Sequence, residues 1–280
     1  MPISPEHIER KIVELANLPT LPGILKKVSL MTGGGESSAA DVAKVISTDQ
    51  VLTAKLLRLV NSPVYGFPGR ISSVTHAVVL LGFNVVKGLV MGTAVFDTLG
   101  ASGQGLWKHS LGCAIVSRKL AQQIGHAEPE EIMVAGLLHD LGKVALTFVF
   151  PNEYQKVVEE ARASGRYVGD VEREVFGVTH TRVSSWLAAE WHFPARLAEP
   201  LTYHHNPELA KTNRDATCIV HVGDILTRGM GYGHPGDDSM PPLNHEAFQS
   251  LGISFTQIDK ALEDAEIEFT TGVANLTYGD

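Results

Sequence analysis

The segment Ala135-Gly-Leu-Leu-His-Asp-Leu-Gly-Lys143 sets a histidine beside an aspartate at the end of an apolar run, with a lysine one helical turn later. Burying either group is costly unless it is paired or bound to a metal. An imidazole next to a carboxylate suits a borderline divalent ion. Neighbouring side chains on a helix point about 100° apart, so His139 and Asp140 enter one cleft only where the helix faces it obliquely. The aspartate could then bridge to a second ion. Lys143 lies four residues past His139 and shares its face. From there an ammonium could hold an anionic oxygen above a metal or protonate a leaving group. The same nine residues also read as a helix C-terminus, in which Gly142 ends the helix and Lys143 meets the last carbonyls. The segment alone leaves both readings open.

Further polar residues interrupt apolar helix faces in the second half of the chain: His109, His180, His204, His205 and Asp224. With His139 and Asp140 they fall on or at the ends of different predicted helices, which is how a bundle assembles a metal site. Two divalent ions about 3.5–4 Å apart could share Asp140 and polarise a bridging water toward a phosphorus centre. Each residue has an ordinary alternative. His109 in Trp107-Lys-His109-Ser reads equally as a surface residue, and His180 as an exposed first-turn residue. His204 and His205 point in different directions, so one of them could lie outside the ligand set. Asp224 sits in Ile219-Val-His-Val-Gly-Asp-Ile-Leu226, an apolar helix where a carboxylate demands a partner. His221, one turn earlier, is a weaker candidate. His7, His76, His126, His192, His234 and His245 fit no comparable pattern. Histidine and carboxylate without thiolate suit iron, manganese, zinc or nickel alike. Cys113 and Cys218 are too few and too far apart for a thiolate zinc site or a disulfide framework, and read as buried free thiols.

The elements that must position these residues are helical throughout. Ser4-Pro5 starts a helix, Leu18-Pro-Thr-Leu-Pro22 breaks the chain, and Gly33-Gly-Gly35 ends the next helix. Ser37 to Ser47 has a 3.6-residue period. Asp49 is placed to cap the helix carrying Leu52, Leu56 and Val60, which Asn61-Ser-Pro63 stops. Ile71-Ser-Ser73 restarts a helix closed by Gly82, and another runs from Asn84 to about Leu99. Gly100-Ala-Ser-Gly-Gln-Gly105 marks a boundary. Beyond it the predicted helices run from Leu106 to Ile124, from Pro129 to Val149 with the His-Asp doublet inside, from Tyr154 to Ala163, and from Asp170 to Phe176. A longer one follows, capped by Thr179. Two more end at His204-His205 and span Asp215 to Arg228. Gly229 to Pro242 is loop. Ser254-Phe-Thr-Gln257 is a capping box, with Ile253 and Ile258 as its hydrophobic staple, and the final ten residues should fray. No stretch alternates as a strand would. The expected fold is all-α, with an N-terminal helical bundle (residues 1–100) packed on a second helical subdomain (101–280).

Composition narrows the partners. The 280 residues are 44% hydrophobic and 19% charged, with a formal charge of −8. That balance argues against binding a nucleic-acid backbone, which favours a basic stripe. No basic region precedes an apolar core at the N-terminus. Apolar runs such as Ala77 to Leu81 fall short of the ~20 residues of a spanning helix. A cytoplasmic protein with no membrane partner is expected.

The order His109 … His139-Asp140 … His180 … His204-His205 … Asp224 resembles the HD superfamily of metal-dependent phosphohydrolases. The resemblance implies that these positions supply metal ligands, to two divalent ions. Asp140-Leu-Gly-Lys143 is also similar to the HD-x-G-K motif of the HD-GYP phosphodiesterases. Asn206 stands where that branch has glutamate, Tyr232 in Gly-Tyr-Gly-His-Pro matches its Gly-Tyr-Pro poorly, and Gly105 offers no ligand for a third ion. Leu18-Pro-Thr-Leu-Pro22, Ile46-Ser-Thr-Asp-Gln-Val-Leu-Thr-Ala-Lys-Leu-Leu-Arg-Leu-Val-Asn-Ser62, Ile71-Ser-Ser-Val-Thr-His-Ala-Val-Val-Leu-Leu-Gly82 and Trp191-His-Phe-Pro194 look like the HDOD domain. That likeness implies an all-helical bacterial signalling protein, often an output or scaffold domain. Many HDOD domains look stripped of HD ligands; this chain keeps a full set. Two functions follow as expectations. In one, the chain is a metal-dependent phosphohydrolase or phosphodiesterase acting on a nucleotide-like substrate, with Asp140 and Lys143 in the reaction. In the other it is a non-catalytic module that contacts signalling proteins and keeps a structural or sensory metal site.

Overall fold

The computed structural model describes residues 3–16, 23–31, 38–62, 71–97 and 99–273. Among the described residues there is no strand, and the all-α expectation holds. The first six helices are α1 (Pro5–Ala16), α2 (Gly23–Leu30), α3 (Ala39–Ile46), α4 (Gln50–Val60), α5 (Val74–Leu81) and α6 (Phe83–Asp97). Their starts are chemically marked. Ser4 Oγ accepts from the His7 amide, Asp49 from Leu52 and Ser73 from His76, each satisfying an amide that the helix itself leaves orphaned. Asn61 does more than end α4: its side chain donates to the Leu57 and Ile71 carbonyls and accepts from the Ile71 amide. It thereby fastens the end of α4 to the approach to α5. The Leu18–Pro22 break, the Gly33–Gly35 stop and residues 274–280 of the expected frayed end lie outside the described residues.

The remaining helices are α7 (Gln104–Gln123), α8 (Pro129–Leu138), α9 (Leu141–Val149), α10 (Pro151–Ser164), α11 (Val168–Phe176), α12 (His180–Glu190), α13 (Ala195–Tyr203), α14 (Arg214–Gly229), α15 (His245–Ser250) and α16 (Phe255–Val273). Helix α7 is central, packed by α8, α14 and α16. Helix α12 lies against α9 and α13, α1 against α12 and α9, and α6 against α8 and α9. One apolar core therefore runs from Ile8 in α1 to Ala265 in α16. The capping box at Ser254 forms as read: the Gln257 side chain accepts from the Ser254 amide, and Ser254 Oγ accepts from the Gln257 amide.

Three expectations need correction. The helix expected over Pro129 to Val149 is two helices that break at His139-Asp140. By length and composition that stretch is apolar enough to cross a membrane, contrary to the short runs expected, yet 83% of its most apolar window is buried inside the protein. The C-terminal cap reading of Gly142 also fails. Gly142 opens α9 instead of ending a helix, and a Cβ there would sit 1.9 Å from the His180 carbonyl oxygen. Only glycine lets α9 approach the start of α12 this closely, and that approach brings His180 to the doublet.

Candidate metal centre

The break between α8 and α9 is what makes adjacent residues share a cavity. His139 still has helical dihedrals (φ −53°, ψ −39°), whereas Asp140 has turned to φ −94°, ψ 17°. Both side chains are fully buried. The two Asp140 oxygens divide the surroundings between them. Oδ2 lies 3.3 Å from His139 Nε2, 3.7 Å from His109 Nε2 and 2.9 Å from Lys143 Nζ. Oδ1 lies 3.4 Å from His180 Nε2 and 4.0 Å from His204 Nε2. On the first side Asp224 Oδ1 approaches His109 Nε2 at 3.0 Å and His139 Nε2 at 3.8 Å. On the second, His205 Nε2 is 3.2 Å from His180 Nε2. The donors thus gather as His109, His139 and Asp224 on one side of Asp140, and His180, His204 and His205 on the other. Within each trio the donor atoms lie within 4.8 Å of one another.

The imidazole tautomers are set from behind. His139 Nδ1 donates to the Gly136 carbonyl (2.7 Å), His204 Nδ1 to the Pro200 carbonyl (3.0 Å) and His180 Nδ1 to Glu172 Oε2 (2.7 Å). Each bond turns Nε2 inward as the free ligand atom. Several inward atoms have no hydrogen-bond partner: His139 Nε2, His204 Nε2, both ring nitrogens of His109, His205 Nδ1 and Asp140 Oδ1. A buried polar atom left unpaired costs roughly 1–3 kcal/mol, so a fold does not collect several at one point without a compensating ligand. Their type, nitrogen and carboxylate oxygen without sulfur, fits a divalent transition metal.

Charge in the cluster follows from burial and mutual contact. Burial alone would raise the Asp140 carboxyl, but His139 and Lys143 hold it well below the usual carboxylate range. Burial likewise fails to raise Asp224, which Arg228 and His109 keep well below its ordinary value. Burial pushes His109, His204 and His205 down, toward neutral imidazoles with a lone pair to give. His139 is the exception: burial opposes its proton, yet Asp140 raises it well above the ordinary value. Asp140 and His139 thus each favour the charged form of the other.

All seven sequence-derived ligand candidates come together here. The surface reading of His109 and the exposed reading of His180 are both wrong, since neither is accessible at all. Both histidines of the His204-His205 pair face the cluster, with His205 half-buried on its outer side. His221 stays out. Its Nδ1 donates to the His204 carbonyl and its Nε2 accepts from the Asn244 amide, so neither nitrogen is spare. The Tyr232 ring is stacked on Phe269 at 3.9 Å and is not among the clustered donors. Lys143 is buried beside the cluster, but its ammonium donates to Asp140 Oδ2 and to the Pro235 carbonyl (3.0 Å). It is thus committed first to holding Asp140. A cavity of about 500 Å³ lined by Lys143, Tyr154, Arg162 and His234 opens beyond it.

Three residues of the surroundings escaped the sequence reading. Glu172 is wholly buried and accepts from the His180 amide and ring and from the Tyr154 hydroxyl. It takes over the capping role expected of Thr179, whose side chain makes no cap bond. Its signal was its place on the apolar stripe of α11 with Val168, Val171 and Phe176. Arg228, one turn after Asp224, donates to Asp224 Oδ1 and also to Asp237 Oδ1 (2.6 Å). Asp237 in turn accepts from the Val168 amide. It lies in a glycine- and proline-rich loop with no periodicity, so nothing local marked it.

An all-α chain that breaks a helix at a His-Asp doublet and surrounds it with four more inward histidines defines an HD-type fold. A family model for the HDOD domain matches residues 18–207. The chain belongs to the HDOD family. It is similar over 97% of its length to an HDOD domain protein of unknown function from Geobacter sulfurreducens, with 26% identity, a TM-score of 0.72 and 99% of that chain covered. A protein from Shewanella amazonensis SB2B, provisionally named a phosphohydrolase, shares the fold at 20% identity and a TM-score of 0.66, with 92% of this chain and 96% of that one covered. An uncharacterised Treponema pallidum (strain Nichols) protein is 25% identical over 194 residues, 68% of this chain. The chain spans only 38% of the length of that relative.

Proposed function

We propose that this HDOD protein binds two divalent transition-metal ions, one with His109, His139 and Asp224 and one with His180, His204 and His205, sharing Asp140. In this reading it acts as a metal-dependent phosphohydrolase or phosphodiesterase on a nucleotide-like signal. The observation that carries it is the convergence of unpaired imidazole nitrogens, His139 Nε2 and His204 Nε2 among them, on the two oxygens of one carboxylate. Bound there, such ions supply Lewis acidity to a phosphoryl group and acidity to water. The chain's own residues do the rest. Asp140, held ionised, bridges the two halves, while Glu172 orients His180 and Arg228 steadies Asp224. Lys143 fixes Asp140 through one bond and brings positive charge to the side where the cavity opens, the place for charge that develops on phosphate oxygens.

A second reading has its own observation. The Gly233–Asp237 stretch lies over Lys143 through Pro235 and is tied down by Asp237, which suits a closed, metal-held module that contacts other regulators. Metal-loaded protein assayed on a linear dinucleotide, a cyclic dinucleotide and an aryl phosphodiester separates the two. Hydrolysis that disappears in His139→Ala supports the enzyme. Full metal occupancy without turnover on any of the three favours the module.

A further inference from the structure

Two hydrogen-bond donors beside the histidine cluster have no partner in the protein. Tyr167 Oη and Arg228 Nη2 are both shut off from solvent and both unsatisfied. Other buried donors share that condition, but these two lie within electrostatic reach of each other and of Asp140 and Asp224. The Tyr167 ring stands edge-on to His205, centroids 5.3 Å apart, at the half-buried side of the cluster. Arg228 reaches the opposite trio, with its Nε on Asp224 and its Nη1 on Asp237 and the Ser239 carbonyl, which leaves Nη2 alone unspent.

The backbone is built to seat that tyrosine. A Cβ at Gly169 would come within 2.5 Å of Tyr167 Cε1, so the ring folds back over the first turn of α11 only because residue 169 is glycine. Gly169 has no unusual dihedral to explain its presence there. The next residue after the tyrosine, Val168, gives its amide to Asp237, and Asp237 holds Arg228. One carboxylate therefore ties the backbone next to Tyr167 to the Arg228 guanidinium.

We propose that Tyr167 Oη and Arg228 Nη2 form a two-donor cradle for a tetrahedral phosphate-type oxyanion at the histidine cluster, an inference that rests on the metal-centre reading above. A guanidinium N–H and a phenolic O–H both donate and neither competes for metal. Charge-assisted bonds of this kind are the stronger class. Tyr167 and Arg228 are then binding residues toward substrate and not ligands toward metal.

Calorimetric titration of metal-loaded protein with inorganic phosphate tests this, with metal content measured on the same samples. Tyr167→Phe keeps the ring and removes only the donor. It should retain the parent's metal while phosphate affinity falls roughly ten- to a hundredfold, the usual worth of a hydrogen bond to a charged group. Gly169→Ala leaves the hydroxyl in the chain but displaces the ring, and should weaken phosphate in the same direction with metal unchanged. Metal-loaded parent and Tyr167→Phe binding phosphate equally well, or a metal-loaded parent that binds none, overturns the cradle and leaves the metal centre standing. A parent that takes up no metal overturns the metal-centre reading, and the cradle with it.

Discussion

Two buried basic sites in this molecule behave in opposite ways. Lys87 in α6 is only 2% exposed, yet its ammonium donates to the Ser29 carbonyl (2.8 Å) and the His192 carbonyl (3.2 Å) and lies 5.9 Å from the Phe83 ring centroid. The protein supplies this ammonium with two carbonyl acceptors and an aromatic face, and it joins α2 to the turn after α12. His192, whose carbonyl it holds, takes φ 50°, a conformation that costs a non-glycine residue free energy. The core of the histidine cluster is as deeply buried, but several of its nitrogens are left without partners. Burial alone therefore does not identify a functional site. Burial with internal partners is architecture; burial without them points to a ligand from outside. His221 and His204 repeat the contrast within one contact, since His221 spends both nitrogens inside the protein and His204 only one.

The strongest perturbation of this contrast is Asp140→Asn. It strips the bridging charge while Lys143 and His139 stay buried against it. Breaking one partner out of a buried ionic pair costs about 3–5 kcal/mol, so chemical denaturation in the presence of a chelator should show a loss of that size. Metal uptake should fall on both sides of the cluster together. A variant that loses metal from one trio alone would refute the shared role of Asp140.

Lys87 gives the next effect, and it appears as a pH dependence. Burial brings its pKa down from 10.5 to about 8. Between those values the unfolded chain keeps the proton and the folded chain sheds it. Stability therefore rises with pH across that window, by about 3 kcal/mol in total. Lys87→Met should flatten the rise, as read by denaturant midpoints between pH 7.5 and 10.5 (about the titration window). An unchanged slope would mean that Lys87 is not the group responsible. The smallest effect belongs to Glu172→Gln, which keeps the shape but weakens the acceptor behind His180. Metal affinity should drop roughly 10–100-fold with the fold intact. An unaltered affinity would reduce Glu172 to a helix cap.

The sequence was most informative where function forces an inconsistency. A histidine and an aspartate inside the apolar run Ala135–Leu141, and Asp224 inside an apolar helix, conflict with simple core packing, and such conflicts can be read from order and period alone. The helix caps at Ser4, Asp49, Ser73 and Ser254 were legible for a related reason: each is a local bond between residues three apart. The break between α8 and α9 was not legible, because Ala135 to Lys143 favours a continuous helix and the turn at Asp140 depends on contacts with α7 and α12. Nor was the role of Lys143 as a partner of Pro235, 92 residues away. Asp237 and Tyr167 were silent because their meaning lies in how a loop and a helix start meet Arg228. Long-range pairing of this kind leaves no periodic trace in the chain.

Elemental analysis of the protein purified without added metal bears most directly on the histidine cluster. About one to two equivalents of a transition metal per chain, lost in Asp140→Asn, is the expected result. A parent chain that carries no metal and takes up none from iron, manganese or zinc would contradict it.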